Sequence, residues 1–322
     1  MKVLITCGDT NGIGPEIALR VLQTIWEKKE KGRYILIIPR TVFTMYYNQL
    51  SCTFPITEAK SSKEAPCAIE LSPVKGGKMH LGQPTKQSGQ TALAALAHAR
   101  TMLKRYQDAV LVTAPIAKEA CSMAGSEFHG HTEMLASWDN TNQFMMIFSS
   151  KAMRGGLVTI HEPLRMVPKL LTRKLIEEKI AVATRSLHLD FGIKQPSVAV
   201  LGLNPHAGEN GILGTEELQI FKAVIAKHGL SGPFPADAFF ANKAYKNFDF
   251  ILSPYHDQLL IPFKMLSWKD GVNYTAGLTF IRTSPDHGVA YDIAGKGKAN
   301  AESMHSAIQL ARKIYQNRKK FS

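Results

Sequence analysis

Short apolar runs recur along this chain, and stretches with helical spacing separate them. "KVLIT" (2–6), "YILIIP" (34–39), "DAVLVTAP" (108–115), "GGLVTIHEP" (155–163), "PSVAVLGLNPH" (196–206) and "FDFILSPYH" (248–256) read as buried strands. A helix is expected to start at Pro15, whose fixed φ suits a first helical position. Others are expected over "SGQTALAALAHARTMLKRY" (88–106), 168–188 and 214–228. Alternation of this kind demands parallel strands joined by right-handed crossovers, so the expected class is α/β with mostly parallel sheets. At 322 residues the chain calls for two compact domains or one large α/β unit. Residues 51–90 break the rhythm with Pro55, Pro66, Pro73, Gly76-Gly77, Gly82 and Pro84, which predicts an irregular flap or an edge-strand region.

The formal charge of +13 is the unusual bulk property. It points to nucleic acid, an anionic membrane surface or small phosphorylated ligands. The cations are scattered, with clusters only in "WEKKEKGR" and "NRKK", and no basic stripe interleaved with aromatics favours a nucleic-acid partner. Small phosphorylated ligands are the better reading. No run is long enough for a membrane span, and "MKVLITCGDTNG" is too short in its apolar part for a signal-peptide core. Cys7, Cys52, Cys67 and Cys121 form no C-x-x-C pair, which suits a reducing cytoplasm.

Three histidines share one setting. His161, His206 and His256, spaced 45 and 50 residues apart, each stand at or just past the carboxyl end of an apolar run. In open α/β sheets ligands bind outside those ends, and three imidazoles with an open position suit zinc or cobalt. Glu162, Glu209 and Asp257 are the adjacent carboxylates available to orient the rings. Solvated loop histidines remain the alternative. In "FHGHTE" (128–133), Thr132 is expected to cap a helix through "EMLASW", with His131 facing an anion. "GDTNGIGPE" matches no phosphate-binding fingerprint, and its glycines need only allow a tight turn. In residues 277–300, Arg282 offers a fork to carboxylate or phosphate. His287-Gly288 allows close approach of a flat ligand, and Asp292 can accept from ribose hydroxyls. Lys296 and Lys298 leave the choice between NAD and NADP open.

"GDTNGIGPEIAL", "LVTAPIAK", "GHTE", "TIHEPLRMVP", "GLNPHAGENG" with "GTEE", "SPYHDQ", "GVNYTAGLTFIRTSPDHG" and "AYDIAGKGKAN" occur in this order over nearly the whole chain. Together they resemble the 4-hydroxythreonine-4-phosphate dehydrogenase family of pyridoxal-phosphate biosynthesis, within the isocitrate/isopropylmalate dehydrogenase-like superfamily. The resemblance implies two α/β domains with the active-site cleft between them, here 1–130 with 285–322, and 131–284. It implies metal ligation by His161, His206 and His256, with zinc favoured over cobalt or magnesium. Substrate binding falls on His131, Thr132, Lys264, Asn273 and Arg282, with Lys264 also a catalytic candidate. His287, Gly288 and Asp292 fall on the NAD or NADP loop. The implied reaction is oxidation of 4-phosphooxy-L-threonine followed by decarboxylation, in a homodimer whose active site lies at the subunit interface. Thr10-Asn11 and Leu259 depart from the family's usual residues, which bears on substrate preference, and a sister activity on threonate or erythronate 4-phosphate is the alternative.

Overall fold

The computed structural model describes residues 1–56, 67–128 and 130–321, so Pro66 in the irregular stretch and residue 129 of "FHGHTE" lie outside the described residues. In chain order the first elements are β1 (Lys2–Thr6), α1 (Gly14–Glu27), β2 (Gly32–Ile38), α2 (Arg40–Gln49), β3 (Cys67–Pro73), α3 (Lys86–Arg105) and β4 (Ala109–Thr113). Then come α4 (Lys118–Met123), α5 (His131–Trp138), β5 (Met145–Ser149), β6 (Arg154–Leu157), α6 (Val167–Leu170), α7 (Arg173–Leu189) and β7 (Val198–Leu201). The chain continues through α8 (Lys222–His228), β8 (Ser231–Phe234), α9 (Ala236–Ala241), β9 (Phe250–Ser253), α10 (His256–Ser267), β10 (Val272–Ala276), β11 (Arg282–Pro285) and α11 (Glu302–Arg318). Two compact units result: Met1–Asn140 with Thr279–Arg312, and Thr141–Leu278 with Lys313–Ser322.

In the first unit the strand order is β3-β2-β1-β4-β11, and every pairing is parallel. β4 is buried at all five residues, without polar alternation, as a strand covered on both faces must be. β3 is the edge strand, so of the two readings of residues 51–90 the described part bears out the edge strand. The turn from β1 into α1 depends on glycine: a Cβ at Gly14 would stand 2.2 Å from the Cys7 carbonyl oxygen, and Gly8 has φ +67°. Pro15 follows in the first helical turn. Helix α3 starts on Thr85, whose hydroxyl accepts from the Ser88 amide while the Ser88 hydroxyl answers the Thr85 amide. Lys104 and Arg105 close it against the negative end of the helix dipole.

In the second unit the order is β10-β5-β6-β9-β7-β8. β5 runs antiparallel to both β10 and β6, while β6, β9, β7 and β8 are mutually parallel. The apolar-run reading assigns no strand to Met145–Ser149, Val272–Ala276 or Arg282–Pro285, and all three are strands. β5 and β6 form a tight hairpin, whose turn closes with the Ser150 amide on the Met153 carbonyl at 3.0 Å. Phe148, Leu157, Leu201, Phe239, Ile251, Leu259 and Phe263 are among the side chains of the core of this unit. α10 thus buries Leu259, Leu260 and Phe263 and turns Ile261, Met265 and Leu266 outward.

Two expected helices are interrupted. The 168–188 helix breaks after Leu170, and Thr172 caps the second piece by accepting from the Leu175 amide at 3.1 Å. The 214–228 helix opens with a π-type turn over Glu217–Phe221 before α8. Among the described residues no helix is long and apolar enough to cross a membrane.

Candidate active site

The three strand-end histidines all belong to the second unit. β6, β9 and β7 are neighbours in that order, so the loops bearing His161, His256 and His206 leave adjacent parallel strands at the same end. His256 is the first residue of α10, and its Nδ1 stands 2.7 Å from Asp257 Oδ1. A carboxylate only accepts, so Nδ1 is the donor in this contact, which leaves Nε2 as the ring nitrogen for a ligand. The His161 and His256 rings lie 5.7 Å apart, centre to centre. His206 begins a run of five residues, His206 to Asn210, with left-handed backbone angles, and its side chain is 65% exposed. Its Nδ1 is 3.9 Å from Glu209 Oε2.

Three imidazoles on adjacent loops, one already oriented by a carboxylate, suit a borderline divalent metal such as zinc or cobalt. Two of the rings are side by side. Among the described residues, however, no three His, Cys, Asp or Glu side chains are spaced to hold an ion. In the same unit Lys264 is half-buried on α10, some two turns beyond His256. Asn273 lies on β10 opposite Phe148 of β5, and among the described residues its buried Oδ1 finds no hydrogen-bond partner. An orphaned buried acceptor of this kind suits a ligand that donates.

The other candidates lie in the first unit. Arg282 opens β11 and is 2% exposed, with Nε and Nη2 both donating to Thr113 Oγ1 at 3.1 and 2.8 Å. Burial pushes its guanidinium down to about 9, against an upward pull from Glu133. His131 is held well below the ordinary imidazole range by burial and then by Arg282, so it is neutral at physiological pH. Its buried Nε2 has no hydrogen-bond partner among the described residues. α5 begins on His131 with Gly130 as the cap residue, so Thr132 is buried inside the first turn and does not cap the helix. Glu133 and Thr113, which flank the guanidinium, lie inside the "GHTE" and "LVTAPIAK" motifs, but no reading of the sequence assigns either a role.

The loop bearing His287, Gly288 and Asp292 is fastened to the start of the chain. Tyr291 donates to Asp9 Oδ2 at 2.9 Å, Arg20 Nη2 to the Gly297 carbonyl at 2.6 Å, and the Ala299 amide to Glu16 Oε1 at 3.0 Å. A Cβ at Gly12 would collide with the Val289 carbonyl, 2.7 Å away. "GDTNGIGPE" is therefore an anchor for this loop as well as a tight turn. Burial lifts the Asp9 carboxyl above its usual range, although bonds from the Asn11 amide, Tyr291 and Ser88 oppose the shift. Asp292 is exposed in a single turn over Tyr291–Ile293, and a Cβ at Gly288 would meet nothing within 4 Å. The His287 Nδ1 is 3.2 Å from the Gly288 carbonyl. Open backbone beside an exposed carboxylate suits a nucleotide ribose.

Residues 30–311 match the family model described as "Pyridoxal phosphate biosynthetic protein PdxA". The 4-hydroxythreonine-4-phosphate dehydrogenase of Desulfosudis oleivorans is 40% identical, over 95% of this chain and 94% of its own. That of Bacteroides thetaiotaomicron is 38% identical, over 99% of this chain and 90% of its own. The crystal structure of 4-hydroxythreonine-4-phosphate dehydrogenase from Klebsiella pneumoniae is similar with a TM-score of 0.82 at 33% identity, covering 98% of both chains.

Proposed function

The chain belongs to the pyridoxal phosphate biosynthetic protein PdxA family, and from that premise we propose that it oxidises 4-phosphooxy-L-threonine with NAD or NADP. The 3-keto acid formed loses CO₂ to give 3-amino-2-oxopropyl phosphate. The observation that carries this reading is the set of imidazoles at the ends of three adjacent parallel strands. With His161, His206 and His256 as its ligands, a divalent cation would supply Lewis-acid polarisation of the substrate hydroxyl, and the nicotinamide would supply a hydride acceptor.

In the first step the C–H electron pair leaves as hydride and the hydroxyl proton departs. In the second the C–COO⁻ bond breaks, its electron pair enters an enolate, and a proton returns to carbon. The side chains have separate tasks. Asp257 fixes the His256 tautomer through the 2.7 Å bond to Nδ1. His131, neutral and desolvated, donates or accepts a hydrogen bond at the phosphate or an adjacent polar group without adding charge. Thr132 joins it there. Arg282 is a buried cation facing the substrate's anionic groups, and burial strengthens its attraction for them. Asn273 Oδ1 accepts from a substrate donor, and its lack of a partner among the described residues supports that role. Lys264 brings an ammonium to an anionic end and is the candidate proton carrier on α10. Asp292 accepts from the adenosine ribose, with His287 and Gly288 along the same ligand.

We assign zinc as the favoured metal, with cobalt and magnesium as alternatives, and a second copy of the chain as partner. In support, Met265 is 81% exposed and Trp268 73% exposed, next to Ile261 and Leu266 on and just after α10. A patch of this make-up marks an interaction surface. All four cysteines are free and buried, in keeping with a reducing cytoplasm.

The test is a panel of purified protein with NAD or NADP, each metal, and 4-phosphooxy-L-threonine against threonate and erythronate 4-phosphates. Turnover of the amino acid phosphate with release of CO₂ is expected. Oxidation of the sugar acid phosphates alone would replace the assignment with the sister activity. Equal use of NADP would remove the selective role of Asp292.

A further inference from the structure

Asn11, one of the residues at which the chain departs from its family, is buried and directs its whole side chain at one neighbouring segment. Its Oδ1 accepts from the His80 amide at 2.9 Å. Its Nδ2 donates to the Gln83 carbonyl at 3.0 Å and to Thr85 Oγ1 at 3.1 Å. The Asn11 carbonyl accepts from the Gly82 amide at 2.9 Å. These bonds fix residues 80–85 to the turn between β1 and α1. The same segment packs on the loop that bears Asp292: a Cβ at Gly82 would stand 3.2 Å from the Tyr291 carbonyl oxygen, and one at Gly295 2.5 Å from Leu81 Cδ1. Gln49 Nε2 also donates to the Gly295 carbonyl, at 2.6 Å.

The loop needs holding. Ala290 takes a left-handed backbone, φ +44° and ψ +60°, without being glycine. Such a conformation persists only where the surroundings enforce it. Both neighbours of Ala290 are gripped by residues 9–13. The Ile13 amide donates to the Val289 carbonyl at 2.9 Å, and the Tyr291 hydroxyl donates to Asp9 Oδ2 at 2.9 Å. Asp9 is ordered in turn by the Asn11 amide on Oδ1 at 2.8 Å and by Ser88 Oγ on Oδ2 at 3.1 Å. Asn11 therefore links the covering segment to the carboxylate that holds the strained turn.

We infer that Asn11 and Tyr291 are positioning residues for the dinucleotide, a clasp that sets Gly288 and Asp292 in their binding arrangement before the ligand arrives. This rests on the reading of His287, Gly288 and Asp292 as nucleotide contacts. A loop that is competent only part of the time binds with an affinity reduced by that fraction. If opening the clasp leaves the turn competent about a tenth of the time, the dissociation constant rises about tenfold.

The test is titration of the full-length protein with NADH, NADPH and ADP-ribose, which carries the adenosine ribose without the nicotinamide. Binding is read by fluorescence and calorimetry, with the thermal midpoint and amide hydrogen exchange recorded for each sample. The variants are Asn11→Ala, Tyr291→Phe and Asp292→Ala. Tyr291→Phe removes only the hydroxyl that reaches Asp9. Dissociation constants about tenfold higher are expected in folded Asn11→Ala and Tyr291→Phe protein, for ADP-ribose as well as for the better-bound dinucleotide. In Asn11→Ala, residues 80–85 and 288–297 should exchange faster together, and KM should rise for the dinucleotide but not for the phosphorylated substrate. A purely structural role would lower the thermal midpoint and leave the nucleotide constants at wild-type values. Wild-type affinity in both Asn11→Ala and Tyr291→Phe, with Asp292→Ala impaired, overturns the clasp alone. A loss confined to samples unfolded at the titration temperature overturns it too. Asp292→Ala protein that binds all three ligands as tightly as the wild type, or wild-type protein that binds none, overturns the nucleotide-loop reading and the clasp with it.

Discussion

At His131 the environment sets the protonation state, and the sign of the consequence follows. Burial and Arg282 hold the folded imidazole well below its unfolded value, so on acidification the unfolded chain takes up the proton first. The stability gained by keeping the ring neutral is whole above the unfolded pKa of about 6.5 and drains as pH falls toward the folded one. Between about pH 7 and about pH 5, the thermal midpoint of His131→Gln should therefore fall less steeply than that of the wild type. Parallel slopes in differential scanning calorimetry would show that the ring is not buried neutral. Arg282 poses the complementary case. Its fork donates two bonds to Thr113 and faces Glu133, a geometry lysine cannot copy. Arg282→Lys should raise KM for the phosphorylated substrate roughly 10–100-fold, the worth of one charged hydrogen bond. Steady-state kinetics with an unchanged KM would remove Arg282 from substrate binding.

Among the elements, α11 shows how a terminus is made part of a core. Its last turn meets Asp190 at the end of α7: Arg318 Nε donates to Oδ1 at 2.6 Å, and Asn317 Nδ2 to the Asp190 carbonyl at 2.8 Å. Ser186 and Tyr274 donate to the other carboxylate oxygen at 2.6 and 2.5 Å. One buried carboxylate thus joins α7, β10 and α11. Removing one partner of a buried ion pair strands the other. Asp190→Ala should cost about 3 kcal/mol, seen as a lower denaturant midpoint with faster amide exchange in the last turn of α11. Exchange unchanged there would mean that the helix is held by its apolar face alone. α10 divides its labour in the same residue-by-residue manner. Leu259, Leu260 and Phe263 enter the core, while His256 and Lys264 face the chemistry proposed for it.

For the whole molecule, the proposed contact with a second copy of the chain falls on the outward face of α10. Ile261, Met265, Leu266 and Trp268 are exposed side by side on and just after α10, the kind of apolar patch that marks an interaction surface. Met265→Glu should shift sedimentation from dimer toward monomer at micromolar concentration without lowering the thermal midpoint of each unit. A variant that sediments as the wild type does would place the subunit contact elsewhere. Much of the fold was legible beforehand. β1, β2, β4, β6, β7 and β9 fall where apolar runs lie, because hydrophobic periodicity and turn chemistry act over a few residues. The candidates in the glycine-rich segments were legible chiefly through the order and spacing of whole motifs. β5, β10 and β11 escaped because short strands flanked by loops carry no periodic signal, and the antiparallel joints of β5 depend on pairing between distant segments. The sequence by itself determined the α/β class, the family and the residue types available for chemistry, since each is written in local pattern or ordered motif. Only the tertiary structure decided that β6, β9 and β7 are neighbours, that Thr132 is no cap, and that Glu217 fills the left-handed turn behind His206. Strand order and side-chain ties are settled by hydrogen bonds across tens of residues, where many pairings satisfy the same local pattern and packing selects one.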